Sequence, residues 1–282
     1  MPNSYPAQPL PPDPTRDVNQ NHYWNYHGLD DLLACKRPMT VSQDEDLFIT
    51  VHQICELAFH QMIIDLGRVL EAIARALKTP SDSIINDTGE SCYFFERVLR
   101  LYEVTLTTMP ILRTMRAFAE FRTSIGPTSG FQSFQFRHLE IMSGVQKYWQ
   151  GGTHDANGTP HIAETEFDRR YGAEIDTWLE QHRNHNLAAY YEILLSRVDG
   201  SSRREQVTRL MAHPHAAPLL RQMHAYDDLQ NRFHRLHLAL AVQQLKKVGA
   251  EMGTGGTSFR TYLAKYEAEL SPLFADLATS LG

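Results

Sequence analysis

Two histidines in an otherwise apolar stretch are the first residues of this chain with the chemistry to hold a metal or a cofactor. The stretch "NRFHRLHLALAVQQLKK" covers residues 231–247 and carries His234 and His237. On a helix, His237 shares a face with Phe233, whereas His234 lines up with the polar Gln230. The spacing therefore predicts that His237 points inward as a candidate ligand. A core histidine satisfied by protein contacts is the alternative.

A second inward imidazole is predicted from "DEDLFITVHQICELAFHQ", residues 44–61. There His52 shares a helical face with Phe48, Cys55 and Phe59. Two imidazoles directed into apolar surroundings are suited to one shared cofactor. The alternative is that each ring donates a hydrogen bond to a backbone carbonyl.

One arginine stands in an aromatic stretch where burial of a charge requires a partner. In "GFQSFQFRHLE" Arg137 follows Phe134 and Phe136 closely, and Glu140 lies three residues further along a helix. The side chain can pair with Glu140, or it can hold a substrate carboxylate in a bidentate grip, which would suit an amino acid ligand. The sequence leaves both interpretations open.

The glycines of "MGTGGTSFRTYL" form a loop that allows a backbone to approach a small ligand closely, or a plain turn between helices. The loop lacks the Gly-Lys-Ser/Thr of a phosphate-binding loop. The chain has 14 histidines, but no HExxH motif and no carboxylate-bridged ExxH pair, so a zinc or di-iron site is disfavoured. His182, His185, His213 and His215 are expected at the surface.

These candidate residues need helices to position them, and the periodicity of the chain is helical nearly throughout. A long helix begins near "TVSQDEDLF", where Ser42 and Glu45 have the spacing of a capping box. Further helical patterns cover 91–107, 109–124, 131–149, 171–196, 203–211, 216–247 and 258–279. The segments "QGGTHDANGTP" and "VDGSSRRE" are predicted loops. The expected fold is all-α: a flexible Pro-rich arm, 1–22, and one helical-bundle domain, 23–282.

Composition narrows the class of protein. The chain has 282 residues, of which 42% are hydrophobic, so it can bury a sizeable core. Its formal net charge is −6, without a basic cluster, so neither nucleic acid nor a membrane surface is an expected partner. Three widely spaced cysteines, and an N-terminus without the features of a secretory signal, predict a cytoplasmic protein.

Four segments resemble the tryptophan 2,3-dioxygenase superfamily of histidine-ligated haem enzymes. They are "YWNYHGLDDLL" (23–33), "DEDLFITVHQICELAFHQ" (44–61), "GPTSGFQSFQFRHLE" (126–140) and "FHRLHLALAVQQLKKVGAEMGTGGTSFRTYL" (233–263). They span nearly the whole chain in the family's order, and the motifs GFQSxQFR and GTGG are quite specific.

The resemblance implies a role for each candidate residue and a haem-binding helical-bundle fold. His237 matches the proximal ligand of the iron of haem b, His52 the distal histidine near the indole nitrogen, and Phe48 a wall of the substrate pocket. Arg137 matches the arginine that holds the substrate carboxylate, and Thr254 the threonine that meets the substrate ammonium group. Gly253 and Gly255 belong to the implied cofactor-binding loop.

Two tyrosines extend the resemblance to assembly. Tyr23 and Tyr26 match tyrosines that reach the substrate pocket of an adjacent subunit, which implies a homotetramer with exchanged N-terminal arms. Other positions depart from the family pattern: "ELWFK" is "ELAFH" here, "NYL" is "NYH", "GTGGSSG" is "GTGGTSF", and three extra residues lie between His237 and Gly249.

The implied activity is oxygen insertion from O2 at the indole C2 and C3 of L-tryptophan or a tryptophan derivative. The departures keep a second branch of the superfamily open, in which a monooxygenase forms a 2-oxindole from tryptophan or β-methyltryptophan. A haem-binding or amino-acid-sensing protein without turnover is the remaining alternative.

Overall fold

The computed structural model describes residues 11–78, 84–125, 133–145, 151–154, 160–163, 166–247 and 272–281, and it confirms the all-α fold. Two short helices come first, α1 (Tyr23–Tyr26) and α2 (Leu29–Ala34). The remaining described α-helices are α3 (Gln43–Leu77), α4 (Gly89–Thr108), α5 (Phe118–Phe121), α6 (Phe134–Ser143), α7 (Glu166–Gln181), α8 (Leu187–Ser196), α9 (Arg203–Ala212), α10 (Ala216–Lys247) and α11 (Ala275–Leu281).

Helix α3 is the centre of the fold because one of its sides is apolar over most of its length. Residues spaced alternately by three and four are buried on this side: Phe59, Met62, Leu66, Val69 and Ile73. The helix packs against α4 and α6, and α4 in turn packs against α10. Each such side chain contributes about 1.5–3 kcal/mol when it is fully buried. By length and composition α3 is also the one described helix that could cross a membrane.

The start of α3 differs from the predicted capping box. Ser42 is the N-cap residue, but its side chain makes no capping hydrogen bond. The Glu45 carboxylate instead accepts hydrogen bonds from the backbone N–H groups of Met39 and Thr40, at 2.9 and 2.6 Å, and from the Thr40 hydroxyl. The glutamate thus fixes the chain that enters the helix, and the predicted reciprocal cap is wrong.

Helix α6 is shorter than the pattern over 131–149 predicts, because Gly144 ends it. This glycine has φ +108°, and a Cβ there would lie 2.5 Å from the Cβ of Ala188. The predicted helix over 171–196 is likewise divided into α7 and α8. Asn186 begins α8 by accepting a hydrogen bond from the backbone N–H of Ala189 at 2.8 Å. The close approach of α6 and α8 therefore fixes where α6 ends and where α8 begins.

Two further segments differ from the predicted elements. Residues 109–114 and 122–125, predicted as parts of one α-helix, form 3-10 turns before and after α5. The predicted loop "QGGTHDANGTP" contains β1 (Gly151–His154), which pairs antiparallel with β2 (Pro160–Ala163). Each strand has only four residues, and β1 begins with two glycines, so their alternation is too short to be recognised in a sequence.

Candidate functional site

His52 is held on α3 by its own helix. Its Nδ1 lies 2.8 Å from the carbonyl oxygen of Phe48, one turn earlier. A carbonyl only accepts, so Nδ1 carries the proton and Nε2 keeps a lone pair. The centroid of the Phe48 ring lies 4.1 Å from that of the imidazole, and 6.2 and 5.5 Å from those of Phe118 and Phe121. The side chain thus has a fixed tautomer against an aromatic wall, and one of the predicted alternatives, donation to a backbone carbonyl, is observed.

His237 lies on α10, within electrostatic reach of the His52 imidazole. Burial, together with the charges of His52, His234 and Arg137, lowers its pKa to about 3. Burial also lowers the pKa of His52, partly offset by the hydrogen bond to Phe48. Both rings are therefore neutral at neutral pH. Both rings also retain some accessible surface.

Arg137 and Glu140 form a buried ion pair on α6, which is the first of the two interpretations left open by the sequence. Arg137 Nη1 donates to Glu140 Oε2. The interpretation as a carboxylate clamp stays a prediction, but the position of the guanidinium suits it. Its charge acts on His237, so the guanidinium lies near that imidazole.

The predicted outward direction of His234 is wrong. The side chain is buried, and its Nε2 lies 2.9 Å from Glu140 Oε1. Gln230 and Leu238, one turn before and after it, are buried as well. The buried side of α10 is therefore wider than one row of apolar residues, and polar residues occupy part of it.

Aromatic rings fill the space between the three helices at this point. Phe59 of α3, Phe136 of α6 and Phe233 of α10 lie within 5.0–5.5 Å of one another, measured between ring centroids. The Phe233 ring also lies 5.9 Å from that of His237. The three rings fix the relative position of the helices that carry His52, Arg137 and His237.

A polar network that the sequence did not reveal ties the start of α6 to α3. Gln135 Nε2 donates to the backbone oxygen and the carboxylate of Glu56, at 2.8 Å each, and Gln135 Oε1 lies 3.2 Å from His60 Nδ1. Burial raises the pKa of Glu56, against the effect of hydrogen bonds from Ser133 and Gln135. His60, one of the departures from the family pattern, is thus part of the contact that positions the segment carrying Arg137.

The other predicted site residues lie elsewhere. Tyr23 and Tyr26 are exposed, and each packs edge-on against the exposed ring of His27. Within the described part of this single chain they do not approach His52 or His237, so their role at an adjacent subunit stays a prediction. Gly253, Thr254 and Gly255 lie outside the described residues.

The other histidines that the structure describes do not form an alternative metal site. Within the described ranges, no group of three or more His, Cys, Asp or Glu side chains has the arrangement to hold a metal ion. His182 and His185, expected at the surface, are partly buried: His182 Nε2 lies 3.4 Å from His138 Nε2, and His185 contacts the Tyr190 hydroxyl. They serve the packing of α6 against α8.

The side chains around these two imidazoles fit a haem. Iron in a haem is bound by a neutral imidazole, and His237 supplies one from helix α10. A second neutral imidazole, His52, lies near it with an unprotonated Nε2. The surrounding phenylalanines provide the apolar contact that a porphyrin requires.

Comparison with known proteins gives the family of the chain. The family model described as "Tryptophan 2,3-dioxygenase" matches residues 12–190. The tryptophan 2,3-dioxygenase of Anaeromyxobacter sp. (strain K) is 35% identical over 134 residues, which are 47% of this chain and 47% of that protein. The chain thus spans about half the length of this relative in that match.

Two other relatives align over most of their length. The tryptophan 2,3-dioxygenases of Bradyrhizobium diazoefficiens and Ruegeria pomeroyi are 28% and 29% identical over 266 and 272 residues, and each match covers 89% of both chains. The family model alone covers more than half of the chain. This protein therefore belongs to the tryptophan 2,3-dioxygenase family.

Proposed function

We propose that this protein is a haem-dependent oxygenase that inserts oxygen from O2 at the indole C2 and C3 of L-tryptophan or a tryptophan derivative. One observation carries the proposal: two neutral imidazoles, from α3 and α10, lie near each other, and the charge of the Arg137 guanidinium acts on one of them. The membership in the family supports it. Haem, when bound, supplies the activation of O2.

The side chains of this chain bind and orient the substrate. His237 holds the haem iron through one ring nitrogen. His52 Nε2, which has no proton because Nδ1 donates to Phe48, accepts a hydrogen bond from the indole N–H. Arg137 binds the substrate carboxylate, while the Phe48 ring forms one wall of the indole pocket. Orientation of this kind lowers a barrier by several kcal/mol, since the reacting atoms are already in place.

The test is the mass of the product formed from L-tryptophan under labelled dioxygen by ferrous, haem-loaded protein. A gain of two labelled oxygen atoms, with cleavage of the indole ring to N-formyl-L-kynurenine, is the expected result. One control is the same protein without substrate. A second is a His52→Ala variant, which should turn over more slowly because the indole N–H loses its acceptor.

The other outcomes separate the alternatives. A gain of one labelled oxygen would mean monooxygenation to a 2-oxindole, and β-methyltryptophan would then be tested next. Among the departures from the family pattern that keep this branch open, His60 contacts Gln135 beside the segment that carries Arg137. Binding of haem and tryptophan without any product would indicate a sensor. A colourless protein after haem reconstitution would contradict the whole proposal.

We further propose that the protein is a cytoplasmic homotetramer with exchanged N-terminal arms. Support comes from the apolar side chains that α1, α2 and the following segment expose, among them Tyr23, Tyr26, Leu33 and Met39. Such a concentration of exposed apolar surface is typical of an interface between proteins. We expect a solution mass of four chains by light scattering, and a smaller mass after replacement of Tyr23 and Tyr26 by serine. A monomeric wild-type protein would disprove the arrangement.

A further inference from the structure

The side-chain amide of Gln135 joins α6 to α3 through both of its polar atoms. Its Nε2 donates to the backbone oxygen of Glu56 and to Glu56 Oε2, both at 2.8 Å, and its Oε1 lies 3.2 Å from His60 Nδ1. A backbone oxygen only accepts hydrogen bonds, so the nitrogen of the amide must lie on the Glu56 side. Oε1 therefore accepts from His60, whose imidazole carries a proton on Nδ1.

The Glu56 carboxylate also contacts the residue that begins α6. Ser133 is the N-cap of this helix, since its side chain accepts a hydrogen bond from the backbone N–H of Phe136 at 3.1 Å. Burial raises the pKa of Glu56, and side-chain hydrogen bonds from Ser133 and Gln135 act in the opposite direction. One glutamate of α3 thus holds two side chains at the start of α6, where a negative charge is favoured by the helix dipole.

These contacts lie one helical turn from His52. His52, Glu56 and His60 are spaced by four residues, so their side chains follow one another along the same side of α3. Helix α6, for its part, carries Arg137, whose charge acts on His237. The amide contacts therefore join the helix that carries His52 to the helix that carries Arg137.

We propose that Gln135 is a positioning residue for the substrate site, and that Glu56 and His60 act on that site through it. Together they set the start of α6 against α3, and a displacement of about 1 Å at a reacting or binding group can cost roughly a hundredfold in rate. The inference rests on the proposed function, in which α3 and α6 contribute groups to one substrate site. It requires none of these three side chains to contact the substrate.

The test measures substrate affinity and stability separately. Equilibrium dialysis of the haem-loaded protein gives the dissociation constant for L-tryptophan, and thermal unfolding gives the melting temperature. Gln135 is only partly buried, so water can satisfy Glu56 and His60 in the Gln135→Ala variant. We expect its melting temperature to fall by only about 2–4 °C and its L-tryptophan binding to weaken about tenfold. A purely structural role would lower the melting temperature and leave the affinity unchanged.

A second glutamine of α3 provides the matched control. Gln61 is also partly buried, and its Nε2 donates to Asp65 at 3.0 Å, on its own helix. Gln61→Ala removes the same kind of hydrogen bond without loosening the contact between α3 and α6. It should therefore bind L-tryptophan with the wild-type affinity.

Variants of His60 test the hydrogen bond to Gln135 Oε1. His60→Asn places an amide N–H near the position of Nδ1 and should keep the wild-type affinity for L-tryptophan. His60→Leu has no donor and should weaken binding by about threefold, less than Gln135→Ala because Glu56 still holds the amide nitrogen. In a Gln135→Ala background, His60→Leu should have no further effect, since the side chain through which it acts is absent.

An exchange of groups tests the contact with Glu56. Gln135→Glu places a second carboxylate opposite that of Glu56, so repulsion between like charges should weaken L-tryptophan binding more than Gln135→Ala does. Glu56→Gln in the same background supplies an amide donor at this contact. The double variant should therefore recover part of the lost affinity.

An unchanged L-tryptophan affinity in Gln135→Ala would overturn the inference and leave the proposed function intact. The same holds for an equal loss in Gln61→Ala, for additive losses from Gln135→Ala and His60→Leu, and for a His60→Asn variant as weak as His60→Leu. The comparison of the two His60 variants decides the question if Gln135→Ala does not fold. A wild-type protein that retains no haem or binds no L-tryptophan would instead refute the proposed function, and this inference with it.

Discussion

We expect the His237→Ala variant to purify without haem and to show no Soret band after reconstitution. The imidazole is the one assigned iron ligand, and burial together with the nearby His52 ring keeps it neutral, which is the state that binds iron. Loss of the ligand removes the bond that holds the cofactor, so activity should disappear with it. Haem content, measured by absorbance and by iron analysis, is the readout.

Two controls show that such a loss comes from the ligand and not from misfolding. His234→Gln changes the neighbouring histidine on the same helix and should retain haem. The second control uses the pKa of His237. Burial lowers this pKa to about 3 in the folded protein, below the value of about 6.5 in the unfolded chain. Its contribution to stability is thus present above about pH 6.5 and is lost as the pH falls towards 3.

The apo His237→Ala variant should accordingly lose less stability than the apo wild-type protein between about pH 6.5 and pH 3, when both are measured by thermal unfolding. A folded variant that shows this change and contains no haem confirms the assignment. Unchanged haem content would instead disprove it.

The helices could be predicted from the sequence because their periodicity is a local property. The residues of α3 repeat at three and four over nine turns, and the structure places its apolar side in the core. The ends of helices were less predictable, since they depend on distant residues. Gly144 ends α6 where Ala188 lies close to it. At the start of α3, the Thr40 hydroxyl donates to the Glu45 carboxylate, which a capping box would have used.

The candidate site likewise has features that could be predicted from the sequence and one that could not. The apolar surroundings of His52 and His237, and the spacing of Arg137 and Glu140, are visible in the sequence, and the structure brings these residues together. The direction of His234 is not visible, because its polar neighbours on α10 suggest an outward face. Its partner, Glu140, lies on another helix, and only the packing of α6 against α10 reveals the contact.

Replacement of Arg137 has the second large effect that we expect. Arg137→Ala should raise the KM for L-tryptophan by roughly a hundredfold, since a bidentate, charge-assisted contact with the substrate carboxylate is lost. The same change leaves the buried Glu140 without its main counter-charge, and breaking a buried pair in this way destabilises a protein by about 3–5 kcal/mol. A higher KM in the alanine variant can therefore reflect lost stability as well as lost binding.

Arg137→Lys separates these two effects. Lysine retains the positive charge beside Glu140 but lacks the planar fork that holds two carboxylate oxygens. We therefore expect a melting temperature and a haem content near those of the wild-type protein, together with a KM for L-tryptophan raised at least about tenfold. Steady-state kinetics at saturating O2, with tryptamine binding as the control, provide the comparison. If the KM of both variants equals that of the wild-type protein, Arg137 serves only the ion pair with Glu140, and another group must hold the substrate carboxylate.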